Sequence, residues 1–298
     1  MGKDEVLKKD RDDGANQERK VKKRLWQMLV ILCIVVFSFS VFSVFRILME
    51  SSREKNTFDD LIAMAEAEVE PLEKTVSGNG EIADKGTERD FHKAEDNSQK
   101  NETEKGPRRN YGFLKEKNPD FAGWIQIPDT KLDYPVMHTP KDMQYYIRRD
   151  FYGKDSVSGT PFIGDFCNTD SMSMIVYGHN MKNGTMFGEL DLYEKQKYRD
   201  EHPMLQFDTL EESREYEIFA AFRTKLDTAK GAGDGFHYYE YVGDLTRERF
   251  EEFMNYLKGY SYYDTGSWPE YGDQLMILST CSYHTEEGRF VVVARRVK

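Results

Sequence analysis

Two residues near the C-terminus could do chemistry together. The stretch "ILSTCSYHTEEGRFVVVARRV", Ile277 to Val297, holds Cys281 at the end of an apolar, strand-like run. Four residues of turn chemistry, Thr285 to Gly288, precede Arg289, which opens a second apolar run. An antiparallel hairpin turning near Glu286 sets Cys281 opposite Val291 and places Arg289 diagonally on the same face. A bulge would shift that register by one residue. A thiolate attacks a carbonyl, and the oxyanion that forms needs a cationic or N–H donor aimed at it. Arginine suits that task because it stays charged and presents several donors. The bland alternative is a cysteine packed as a small hydrophobe beside an edge arginine.

A thiol nucleophile also needs a proton partner. His138, His179, His202, His237 and His284 lie in the same half of the chain. His179 fits best. It sits in "MIVYGHNMKNGTMF", where an apolar run stops at Gly178 and a polar loop begins. A residue at a strand end projects onto the rim, where loop-borne chemistry is found. His138 also follows a strand and is the second choice. His284 falls in the hairpin turn and is expected to face solvent, and His202 precedes a proline in a loop. Ser279 and Thr280, beside the cysteine, either line a substrate groove or are ordinary strand residues.

Short strands must position these groups. Apolar or alternating runs occur at 123–129, 134–139, 159–165, 171–178, 204–208, 214–224, 274–281 and 289–297. Helical patterns fall at 141–147, 184–199 and 246–258. Eight short, closely spaced strands predict a mostly β, closed barrel rather than a doubly wound sheet. The helix "TRERFEEFMNYLKG" lies between the sixth and seventh strands, with Leu245, Phe250, Phe253, Met254 and Leu257 as its apolar face. It decorates the barrel.

The N-terminal part is different. Leu25 to Phe45 carries no charge and is bounded by Arg24 and Arg46. At about 1.5 Å per residue that run spans roughly 30 Å, one hydrocarbon core. It is too long for the apolar part of a cleaved signal peptide and lacks a small-residue cleavage site. The basic cluster "RKVKKR", Arg19 to Arg24, precedes it and puts the N-terminus in the cytoplasm, with everything after Arg46 outside. The expected organisation is a cytoplasmic tail at 1–24, a transmembrane signal anchor at 25–46, an extracellular stalk at 47–109 and a folded domain at 110–298. The stalk is helical in pattern over Ser51 to Glu70, with Phe58, Leu61, Ile62 and Ala65 on one side; its later part, 75–107, reads as flexible and polar.

The net charge of -11 argues against nucleic acid as a partner. The chain has three cysteines, and Cys33 lies in the apolar span. Cys167 and Cys281 could form one bridge; otherwise Cys281 is a free thiol kept outside the membrane, with Cys167 structural. No metal motif stands out. "GAGDG" at 231–235, with Asp227, reads as a flexible loop before it reads as a weak cation site.

"ILSTC" with Arg289 eight residues on, and "YGHN" about a hundred residues upstream, resemble the sortases over roughly Tyr111 to Lys298. "FAGWIQIPDTKLDYPVM", "GTPFIGDFC" and the helix before the seventh strand are similar to the class B branch. Ile277-Leu278 stands where many members have Thr-Leu, which changes no reacting group. The resemblance implies an eight-stranded sortase-type barrel, and a cofactor-free cysteine transpeptidase on the outer face of a Gram-positive membrane. It implies Cys281 as nucleophile, His179 as general acid/base, and Arg289 as oxyanion and substrate-positioning residue. It further implies cleavage of a C-terminal sorting signal of secreted proteins between Thr and Gly, a thioacyl intermediate, and transfer to an amine of the cell-wall precursor. Polymerisation of pilins through a lysine, a different extracellular cysteine peptidase and an anchored binding module are the competing expectations. An L,D-transpeptidase fits less well, because no His-Gly-Cys followed closely by Arg is present.

Overall fold

The computed structural model describes residues 3–67, 109, 111–226, 236–281 and 287–298. The chain divides into two compact units, Met1–Asn56 and Thr57–Lys298. The first unit holds most of helix α1 (Lys3–Ala67), including Leu25–Arg46, a stretch long and apolar enough to cross a membrane and wholly unburied.

The second unit is a closed eight-stranded barrel. Its strands are β1 (Phe121–Gln126), β2 (Asp133–Met137), β3 (Phe162–Ile163), β4 (Ser173–Tyr177), β5 (Met204–Asp208), β6 (Ser213–Lys225), β7 (Leu275–Cys281) and β8 (Gly288–Arg296). Around the barrel the order is β1-β2-β3-β4-β7-β8-β6-β5. The β2–β3 and β4–β7 pairs are parallel; the others are antiparallel. Each expected strand has an observed counterpart, and closure removes the sheet edges that would otherwise invite aggregation.

β7 shows why a continuous apolar run can be a strand. Leu275 to Thr280 are all buried, because β7 is hydrogen-bonded between β4 and β8 and covered on both faces. Only Cys281, at its end, is exposed. β6 pairs with both β5 and β8, and its register with β8 shifts between Ile218 and Ala220. That bulge lets one long strand bend around the barrel.

Among the described residues three α-helices accompany the barrel: α2 (Gly112–Lys117), α3 (Gln196–Glu201) and α4 (Arg247–Tyr260). α2 was not anticipated from the pattern; it has one buried residue, Leu114, too few to make a periodic signal. The expected helix at 184–199 is instead a 3-10 turn at Leu190–Glu194 followed by α3. α4 starts at Thr246, whose hydroxyl accepts from Arg249 N–H at 3.3 Å. Its buried residues are Phe250, Phe253, Met254 and Leu257, one stripe at helical spacing.

The end of α1 belongs to the barrel's unit. Phe58, Leu61 and Ala65 are buried with the barrel core, and the Phe58 ring meets Tyr134 edge-on at 5.2 Å. Arg109 ties the same helix to β2: it donates to Glu66 at 3.0 Å and to both Asp133 carboxylate oxygens at 2.7 and 3.1 Å. Trp124 Nε1 and Gln126 Nε2 also donate to Asp133. The rest of the expected stalk, 68–108, lies outside the described residues, as do the 231–235 loop with Asp227, and His284.

Candidate functional site

The hairpin register is the first feature of the site. Cys281 pairs directly with Arg289, and Ser279 pairs with Val291. The expected pairing of Cys281 with Val291 is therefore corrected. β7 ends at Cys281, Glu287 takes a left-handed φ of 57°, and β8 starts at Gly288, one residue before Arg289. The displacement is two residues along β8. Side chains alternate with period two, so thiol and guanidinium still share a face, now as direct rather than diagonal neighbours.

The other flank comes from β4. Its parallel ladder with β7 ends at Tyr177 opposite Ser279. Two residues further along each strand stand His179 and Cys281. The barrel order β4-β7-β8 thus puts His179, Cys281 and Arg289 at neighbouring positions on the rim, where all three line one cleft. Gly178 makes this possible. A Cβ there would meet the Phe187 ring at 2.7 Å, so only glycine lets the loop after β4 close down over Phe187.

His179 is half-buried, and its Nε2 lies 2.6 Å from the Ile147 carbonyl oxygen. A carbonyl can only accept, so Nε2 carries the proton in this contact. Arg289 is directed toward its own turn. One guanidinium nitrogen donates to the Gly288 carbonyl at 2.9 Å, and another lies 3.6 Å from the Glu287 carboxylate.

These groups border one cleft of about 260 Å³, lined by His179, Tyr238, Ser279, Thr280, Cys281 and Arg289 among others. Its floor carries buried polar groups. Ser279 is wholly buried, and its hydroxyl shares a 2.7 Å hydrogen bond with the Tyr238 hydroxyl. Burial pushes the Tyr238 phenol up to about 12; the bond from Ser279 and the nearby Arg289 charge work against that rise, while Cys281 adds to it. Tyr177, also at the cleft, is raised further for the same reason of burial. Both phenols stay neutral near physiological pH and offer hydrogen bonds, not charge. Thr280 is buried, and its hydroxyl has no partner among the described residues.

Among the described histidines only His179 lines this cleft. His138 is elsewhere, its pKa lowered by burial and by Lys115. His202 sits against the Pro128 carbonyl at 3.2 Å, and His237 pairs with Glu240 at 3.3 Å. Cys167 and Cys281 are both free. The Cys167 thiol donates to the Gly164 carbonyl at 3.6 Å and accepts from Ile175 N–H at 3.5 Å; burial pushes it up to about 11. It is a neutral packing group. Tyr238 and Asn180 were not singled out from the sequence. Tyr238 carries no local signal, being one of 18 tyrosines; Asn180 was visible only as the last letter of "YGHN".

A closed eight-stranded barrel presenting a thiol, an imidazole and a guanidinium at one cleft defines the class, a β-barrel cysteine enzyme. The chain belongs to the sortase family: the sortase domain matches residues 125–297. Sortases are cysteine transpeptidases, and so is this chain; its relatives make it class B-like. It is 28% identical to sortase B of Listeria monocytogenes over 283 residues, covering 93% of this chain and 99% of that protein. It is 30% identical to sortase B of Staphylococcus aureus over 196 residues, 64% of this chain and 76% of the relative. Among solved structures it resembles a Staphylococcus aureus sortase B–substrate complex. The TM-score is 0.54 at 26% identity, with 63% of this chain and 84% of that one covered.

Proposed function

We propose that Cys281 is the nucleophile of a membrane-anchored sortase that cleaves a C-terminal sorting signal between Thr and Gly. The observation that carries this reading is the rim order: Cys281 pairs with Arg289 on one side, with His179 one ladder step beyond β4 on the other. The Cys281 thiolate attacks the threonine carbonyl carbon, and the carbonyl π electrons move onto oxygen. Arg289 donates to that oxyanion or holds the substrate backbone. Collapse expels the glycine amine, which takes a proton from His179, and leaves a thioester on Cys281. An amine of the cell-wall precursor then attacks the thioester and gives up its proton to His179; the C–S bond breaks, and the Cys281 thiolate is released beside the reprotonated imidazole. Ser279 and Thr280 form part of the substrate groove beside the nucleophile. With Nε2 hydrogen-bonded to Ile147, Nδ1 is the nitrogen whose proton comes and goes.

The candidate anchor Leu25–Arg46 and the basic cluster before it support a cytoplasmic N-terminus and an extracellular catalytic domain. We divide the chain into a tail at 1–24, an anchor at 25–46, a stalk at 47–109 and a catalytic domain at 110–298. Tethering raises the effective concentration of enzyme toward clients held in the same membrane. The test is incubation with a library of peptides containing a Thr–Gly bond, with and without triglycine, followed by mass spectrometry. Cleavage at Thr–Gly with a ligated product only when triglycine is present supports a transpeptidase of this specificity. Hydrolysis alone, or cleavage at another bond, contradicts it.

A further inference from the structure

β4 stops at Tyr177, yet β7 runs on to Cys281. The last backbone rung between them is Gly178 N–H donating to the Ser279 carbonyl at 3.2 Å. Donors in a parallel ladder recur every second residue. The next rung would therefore run from residue 180 to the Cys281 carbonyl. A side chain fills it: Asn180 Nδ2 donates to the Cys281 carbonyl oxygen at 2.8 Å. The same nitrogen donates to Asp191 Oδ2 at 2.9 Å. Asn180 is 8% exposed, so neither bond competes freely with water.

The residue types fit this bridge. A carboxamide nitrogen has two protons and can serve a carbonyl and a carboxylate at once, without adding charge. Aspartate at 180 would only accept, and would face Asp191. The far side of the bridge is not optimised for stability. Asp191 Oδ1 is buried without a hydrogen-bond partner among the described residues. A buried, unsatisfied carboxylate oxygen is destabilising, and an apolar side chain would serve packing better.

We propose that Asn180, anchored by Asp191, is a positioning residue for the reaction. It holds the backbone of Cys281 in register with His179, its own neighbour in the chain. One loop then supplies the proton partner and fixes the distance from that partner to the thiol. This rests on the reading of Cys281 as nucleophile and His179 as its partner.

The test uses the full chain in detergent micelles and the best-cleaved fluorogenic Thr–Gly peptide from a library. Asn180→Ala should lower kcat about ten- to a hundredfold, the scale of a misplaced reacting group. KM should stay within about twofold, because the substrate groove is untouched. Rates are expressed per folded molecule, the folded fraction being read as the protection of the buried Cys167 thiol from alkylation. Asn180→Gln keeps the amide donor and should recover part of the loss. Asp191→Asn should cause a smaller loss, and the double variant Asn180→Ala/Asp191→Asn should be no slower than Asn180→Ala alone. Parental kcat in folded Asn180→Ala or Asp191→Asn overturns the positioning role. So does a loss that tracks only the unfolded fraction. Should Asn180→Ala not fold, Asp191→Asn and Asn180→Gln decide by the same criteria. Cys281→Ala separates the two claims: activity retained there sinks the underlying reading, whereas an inactive Cys281→Ala beside a fully active Asn180→Ala sinks the positioning role alone.

Discussion

Replacing Arg289 by alanine should slow acylation of Cys281 by about a hundred- to a thousandfold while leaving the barrel folded. The kinetic magnitude is that of removing one oxyanion donor, roughly 3–4 kcal/mol. The geometry supports the full effect, since directly opposed residues of antiparallel strands have Cα atoms about 4.5–5.5 Å apart, within easy reach of a long side chain. The structural cost is small. Among the described residues, Arg289 donates to the Gly288 carbonyl and lies near the Glu287 carboxylate, both beside it in the chain. A partly exposed ion pair of this kind is worth about 0–1 kcal/mol, a shift of roughly 4 °C or less in Tm for a domain this size. Arg289→Lys keeps charge but loses the planar fork, and should recover only part of the rate. Arg296→Ala is the control. That side chain bonds Glu212 and Gln274, so its loss touches stability and not acylation. Single-turnover acylation followed by intact mass, beside circular dichroism, reads both quantities. A folded Arg289→Ala protein acylating at near the parental rate would remove arginine from the mechanism and reduce the shared face to geometry.

His179→Ala should abolish turnover, and His138→Ala should leave most of it, in a fluorogenic peptide assay; the reverse order would reassign the proton partner. Near pH 7 iodoacetamide should label Cys281 and spare Cys167, with Cys167 labelling rising only as pH approaches about 11, where its buried thiol ionises. Peptide-level mass spectrometry checks this, and equal labelling near pH 7 would contradict the burial argument. Phe58→Ala should cost about 3 kcal/mol, a fall of roughly 6–12 °C in the Tm of the barrel unit, because Phe58 is buried against Tyr134. An unchanged melting temperature would mean that the end of α1 does not contribute to that unit.

The barrel was legible because its strands are short apolar runs with turn chemistry between them, and α4 because four apolar residues recur at helical spacing. The shared face of Cys281 and Arg289 was legible too, since alternation depends only on an even separation. Their direct pairing was not. Turn position depends on which residue takes the left-handed conformation, and Glu287 is not a residue type that advertises it. The 3-10 turn at Leu190–Glu194 has the local composition of a helix, and the extended backbone at Lys195 that separates it from α3 has no signal in the residue pattern. Tyr238 and Asn180 were hidden for a deeper reason. Tyr238 reaches Ser279 across 41 positions and Asn180 reaches Cys281 across 101, and such long-range contacts are made by topology and leave no periodic trace.

The measurement that bears most directly on the central claim is capture of the acyl enzyme. The full chain in micelles is mixed with a Thr–Gly peptide and no amine acceptor, quenched in acid and digested. A mass increment equal to the N-terminal peptide fragment through threonine should appear on Cys281, and should vanish on adding triglycine or hydroxylamine. An increment on another residue, or brisk cleavage by Cys281→Ala, would contradict the assignment of Cys281 as the nucleophile.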